Sequence, residues 1–107
     1  MGEFRGSAFL TASDVRLKTN IQDHGGGLDV IRNLRPVHFD WKDGGTNNTG
    51  FIAQELENVV PKAVSEMENI KYIDQTKIIA HLVQAVKELE ALYSAELYAY
   101  PGKNGGA

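Results

Sequence analysis

Apolar and polar positions follow one another in short blocks along this chain, and only the last block is long. Residues 13–21 alternate, with Val15, Leu17 and Ile21 as the positions expected to be buried. That fits an extended segment, or a turn followed by a strand. After the break at Gly25-Gly26-Gly27, Leu28, Ile31 and Leu34 have the spacing of a short helix, which should stop before Pro36 because proline disfavours helical geometry in the residue preceding it. Val37-His38-Phe39-Asp40-Trp41-Lys42 alternates in strict period two. This predicts a half-buried strand with Val37, Phe39 and Trp41 inward. Turn-forming residues 43–50 follow and could fold a hairpin back onto Phe51-Ile52-Ala53. Residues 54–60 read as a second short helix with Ile52, Leu56, Val59 and Val60 to one side and Pro61 ending it, and Lys71-Tyr72-Ile73-Asp74 as another short strand.

The last block predicts a helix from about Gln75 to about Tyr98, with Asp74 as its cap. Ile79, Leu82, Val86, Leu89 and Tyr93 are spaced 3-4-3-4, a heptad seam, and Leu82, Ala85, Leu89 and Leu92 form a second, overlapping one. Two adjacent seams make an apolar face wider than one partner helix needs. Either the whole face packs on its own domain, or one seam packs there and the other on symmetry mates. Pro101-Gly102 should end the helix, and the glycine-rich residues 101–107 read as a disordered tail. The fold class expected is α+β: short antiparallel strands, two short helices and one long C-terminal helix.

Composition narrows the class without naming it. The chain has 107 residues, 42% of them hydrophobic and 23% charged, which suits one domain with a modest core. A net charge of −3, with the eleven basic residues scattered, argues against a nucleic-acid surface. The absence of cysteine removes disulfides and thiolate metal sites, so oligomerisation is the ready source of extra stability. No apolar run approaches the roughly 18–20 residues that span a bilayer, and no membrane partner is expected. Met1 to Ser7 read as an expression-vector scar. Asn47-Asn48-Thr49 has the form of a glycosylation sequon, a pattern too short to weigh.

Ser13 and Lys18 are the candidate chemistry. A serine with a nearby lysine can cut a peptide bond without histidine, because an uncharged amine can take the hydroxyl proton. Burial promotes that uncharged form, and Leu17 and Ile21 make partial burial of Lys18 feasible. Asp14 and Arg16 would act on its charge in opposite directions. The five-residue spacing is awkward: on a helix the two side chains lie about 140° apart, and on a strand they face opposite ways. Only a turn between them, or a neighbouring subunit, brings the amine to the hydroxyl. The plainer alternative has Ser13 or Asp14 capping a turn and Lys18 as a solvated charge.

Other candidates carry less. His24, His38 and His81 lack metal-ligand spacing, and no metal or cofactor is expected. His38 and Asp40 share a strand face and could pass a proton, though a solvated face explains them as well. Gln54 fits a hydrogen bonder at a helix entry. Gly25-Gly26-Gly27 lacks the lysine and the preceding strand of a phosphate-binding loop.

Three stretches in order resemble a known family: Ser13 to Ile21, Leu34 to Lys42, and Gly50 to Leu56 with Val59-Val60-Pro61. Tyr72-Ile73-Asp74, leading into a helix with Ala85-Val86-Lys87-Glu88-Leu89, completes the pattern over roughly residues 13–93. The chain resembles the C-terminal intramolecular chaperone auto-processing domain of phage endosialidases, tail fibres, tail spikes and neck appendages. The resemblance implies a self-cleaving serine peptidase, with Ser13 as nucleophile, Lys18 as general base and the cut at Ala12–Ser13. It implies a homotrimer whose C-terminal helices pair along the threefold axis, here through Ile79, Leu82, Val86, Leu89 and Tyr93. Such a domain templates an upstream β-rich fibre in the host cytoplasm, then is released from the virion tail or stays with it. Residues 1–12 would be vector sequence and the end of that parent, and residues 13–100 the domain. Two alternatives are a non-catalytic trimerisation cap and a free-standing adaptor that binds a partner helix.

Overall fold

A computed structural model of the chain describes residues 10–98. The expected vector segment, the start of the apolar lead-in and the tail at 101–107 lie outside these residues. After a single 3₁₀ turn at Val15–Leu17 come α1 (Leu28–Ile31), β1 (Val37–Phe39), β2 (Asn48–Gly50) and α2 (Ala53–Val59). A second 3₁₀ turn at Pro61–Ala63 leads to β3 (Val64–Met67), β4 (Ile70–Ile73) and α3 (Gln75–Tyr98). The class is α+β, as expected.

The strands form two separate antiparallel hairpins. β1 pairs with β2 in the register Val37↔Gly50, His38↔Thr49, Phe39↔Asn48. The hairpin therefore closes on residues 48–50 and not on Phe51-Ile52-Ala53. Two hydrogen bonds set that register early: Trp41 N–H to Gly45 O (2.6 Å) and Gly44 N–H to Trp41 O (3.1 Å). The Asp40 carboxylate also accepts from Asn47 N–H (2.9 Å). Trp41 consequently lies beyond the strand, 58% exposed and edge-on to Phe39, instead of pointing inward. β3 and β4 join through Glu68-Asn69, both with positive φ (51° and 68°), the backbone of a two-residue hairpin turn.

The core lies where α2, the second 3₁₀ turn and the start of α3 meet. Leu56, Val60, Ala63 and Ile78 are buried there, with Val30, Leu34, Phe51, Val59, Val64 and Ile73 packed around them. Ile52 is not part of this side: it is the N-cap of α2 and partly exposed. Asp74 N–H donates to Ala63 O (2.7 Å) and Asp74 Oδ1 accepts from Thr76 N–H (3.2 Å), so the expected cap is in place. Arg35 clamps α2 through two hydrogen bonds to Glu55 (3.0 and 2.6 Å).

The inner face of α3 carries Ile78, His81, Ala85 and Glu88 and receives α1. Gly27 lies so close to α3 that a β-carbon there would sit 2.7 Å from Ala85 N. Leu28 N–H donates to Glu88 Oε1 (2.9 Å), and His81 Nδ1 donates to Gly26 O (2.6 Å) with the His24 ring edge-on at 4.3 Å. The first heptad seam points away from this contact, and the second is buried in it only at Ala85. Ile79, Leu82, Val86, Leu89 and Tyr93 are all exposed, and of the second seam only Ala85 is buried. Neither the whole apolar face nor a complete seam packs on its own domain, as the two expected readings required, because α1 settles on the face one residue over.

Candidate active site

Residues 10–25 are exposed throughout. Val15, Leu17 and Ile21, expected inside, are 67%, 74% and 65% exposed, and no strand follows the turn. The reason is topological: the chain meets α3 only from His24 onward, so the earlier residues have nothing of their own to pack on.

Within this segment the backbone makes one tight reversal. Asp14 is extended (φ −67°, ψ 136°) and its side chain caps the 3₁₀ turn. Leu17 N–H donates to Asp14 O (3.0 Å) and Lys18 N–H to Val15 O (3.1 Å). Lys18 leaves the turn extended, and its Nζ donates to Ser13 Oγ at 2.6 Å. The spacing that suits neither a helix nor a strand is closed by this turn. Serine and lysine are brought together within one chain, and the pair is open to solvent.

Asp14 and Arg16 flank the pair and engage each other. Asp14 Oδ1 accepts from Arg16 N–H (2.9 Å) and Nε–H (3.0 Å), and Oδ2 from Nη2–H (2.8 Å). These hydrogen bonds hold the Asp14 carboxyl below the usual carboxylate range and push the Arg16 guanidinium further up. Ala12, the residue before the serine, is exposed like its neighbours.

The remaining candidates stay apart from Ser13. His38 Nδ1 meets Thr49 Oγ1 (3.2 Å) while Asp40 is taken by the hairpin turn, so the two do not pair. Gln54 is exposed in the first turn of α2 and makes no side-chain hydrogen bond among the described residues. No group of three or more His, Asp or Glu side chains suited to a metal ion occurs among the described residues. Nor is any helix there long and apolar enough to cross a membrane. The joint of His24, Gly26 and Gly27 with His81 and Glu88 escaped the sequence reading. Its signal was present in the spacing of Ile78, His81, Ala85 and Glu88, which share one helical face.

A family model described as chaperone of endosialidase, and named as a peptidase family, matches residues 13–65, beginning on the serine. The chain is 37% identical over 89 residues to long tail fiber protein Gp37 of Enterobacteria phage K3, and equally so to Gp37 of Enterobacteria phage T2. Each match covers 74% of this chain but 7% of the fibre protein, so the chain spans a small fraction of those relatives. Through residues 13–65, the chain belongs to the chaperone-of-endosialidase family.

Proposed function

We propose that residues 13–100 act as an intramolecular chaperone that trimerises an upstream phage tail fibre or spike and then detaches itself at Ala12–Ser13. The observation that carries this reading is the 2.6 Å contact between Lys18 Nζ and Ser13 Oγ at the first residue of the family match. Fibres built from three chains must make many non-local contacts. A tethered trimerising domain raises the local concentration of the three chains and aligns their register. Removing it afterwards leaves a product whose unfolding cannot be reversed by the same route, which makes the fibre kinetically stable.

In the proposed reaction Ser13 Oγ attacks the Ala12 carbonyl carbon while its proton passes to Lys18 Nζ. The Ala12–Ser13 C–N bond breaks, the freed Ser13 nitrogen takes that proton, and Ala12 is left as an ester on Oγ. Water then cleaves the ester and gives an Ala12 carboxylate and free Ser13. An amine serves as base only when uncharged, and burial favours that form. Since the pair is exposed in the single chain, packing of neighbouring chains around residues 13–21 is the step that would arm it. The event belongs in the host cytoplasm during assembly, and the released domain leaves the virion tail or stays with it.

The test is a full-length precursor carrying its fibre. The unaltered precursor should yield two fragments on a denaturing gel, with mass spectrometry placing the new ends at Ala12 and Ser13. Ser13→Ala and Lys18→Ala should stay uncut but trimeric. A Lys18→Ala precursor that cuts at the normal rate would remove the dyad, and an uncut wild-type trimer would favour a permanent trimerisation cap.

A further inference from the structure

We propose that Asp14 and Arg16 form one positioning device that holds the Ser13 hydroxyl against the Lys18 amine. The consequence for cleavage rests on the dyad reading above; the consequence for geometry does not.

The contact exists only because the chain turns between the two residues. That turn is weak by itself, three residues closed by two backbone hydrogen bonds, and short 3₁₀ turns gain little from so few. Packing does not hold it either, since all residues from 10 to 25 are exposed. What remains is the Asp14 carboxylate. One of its oxygens caps the turn at Arg16 N–H, satisfying a donor that the turn leaves free. The Arg16 guanidinium then grips both oxygens in a fork, fixing the carboxylate in its capping rotamer.

The fork does something a cap alone would not. A free carboxylate four residues from a lysine competes for its ammonium, and a charged acceptor outbids a hydroxyl. With both oxygens held by Arg16, Asp14 leaves Lys18 Nζ to Ser13 Oγ. Arg16 therefore acts by diverting Asp14, and its loss should hurt only while residue 14 carries a charge.

The prediction is read in two ways. In the fibre-bearing precursor, Asp14→Ala should slow cleavage by about 10–100-fold, the scale of a catalytic group misplaced by an ångström. Asp14→Asn, which still caps, should stay within about 3-fold of wild type. Arg16→Ala should slow cleavage by about 10-fold, and Asp14→Asn/Arg16→Ala should recover most of that loss. Recovery in the double variant is the readout that a merely structural loss of the turn would not give. In the 107-residue chain itself, cross-relaxation between Ser13 β-protons and Lys18 ε-protons should appear in wild type and Asp14→Asn and vanish in Asp14→Ala. The proposal is overturned if those cross-peaks persist in Asp14→Ala, if they are missing from wild type, or if the double variant is no faster than Arg16→Ala. Cleavage that survives Ser13→Ala would defeat the dyad reading alone, and the cross-peaks would still decide whether Asp14 holds the turn.

Discussion

Gly25 and Gly27 look alike in the sequence and differ sharply in what they do. A β-carbon at Gly27 would meet Ala85 N at 2.7 Å, Gln84 C at 2.8 Å and Glu88 Oε1 at 2.8 Å, so α1 could not settle on α3 without moving. Gly27→Ala should therefore cost about 1–3 kcal/mol, as overpacking does elsewhere. At Gly25 nothing lies within 4 Å and φ is not positive. Gly25→Ala should be neutral or stabilise by up to about 1 kcal/mol, through loss of freedom in the unfolded chain. Denaturant midpoints at matched concentration would separate the two. Equal losses would mean that the close approach at Gly27 does not hold the joint. Leu56, the one large side chain buried almost completely among the described residues, sets the upper end of the scale: Leu56→Ala should cost about 2–5 kcal/mol by the same measurement.

At the scale of elements, α1 has only four residues and cannot persist alone, so its hold on α3 decides whether it forms. Glu88 supplies much of that hold. The Leu28 N–H, and after it the Gln84 amide, keep the Glu88 carboxyl below its ordinary value of 4.5. A carboxyl depressed by folding stabilises fully above its unfolded value and loses that contribution as pH falls through the folded one. Wild type should thus lose stability on acidification from about pH 6 to about pH 3 more steeply than Glu88→Gln. Identical slopes in thermal unfolding across that range would sink the assignment. Asp14 and Glu55 are depressed too and contribute to both curves, so only the difference reports on Glu88. Elements of this kind divide by how locally they are specified. The start of α3, the stop of α2 at Pro61 and the β4 strand were legible because capping, proline and alternation act within a few residues. β3 was not, since Ser65 and Glu66 look like loop and become strand only by pairing with Tyr72 and Lys71. β2 was hidden for the same reason, its Asn48-Thr49-Gly50 having the chemistry of a turn. In the site, Ser13 and Lys18 could be named from the resemblance, but the reason for their spacing lay in a turn whose lock, Asp14 with Arg16, has no periodic signature. Val15, Leu17 and Ile21 misled because alternation marks an apolar face, and among the described residues nothing of this chain reaches that face.

At the scale of the whole molecule the balance between covered and uncovered apolar surface argues for assembly. Among the described residues the buried hydrophobic core is Leu56, Val60, Ala63, Ile78 and Ala85, while Ile79, Leu82, Val83, Val86, Leu89, Leu92 and Tyr93 of α3 remain exposed. A stripe of that length at 3-4 spacing is the surface that helices of a coiled coil bury against one another. Leu89 is the informative position, because it is on the stripe and outside the contact with α1, so altering it touches association and not the core. Wild type should sediment as a trimer at micromolar concentration, and Leu89→Asp should sediment as a monomer, since a charge desolvated in a helical seam costs several kcal/mol. The monomer should keep the docking of α1 on α3, visible as unchanged protection of the Leu28 amide in hydrogen exchange. In the precursor, Leu89→Asp should also leave the Ala12–Ser13 bond intact although Ser13, Asp14, Arg16 and Lys18 are untouched. A monomeric Leu89→Asp precursor that cuts at the wild-type rate would show that the pair needs no neighbour to work. A wild-type chain that is itself monomeric would leave the stripe to some other partner and remove the threefold assembly altogether.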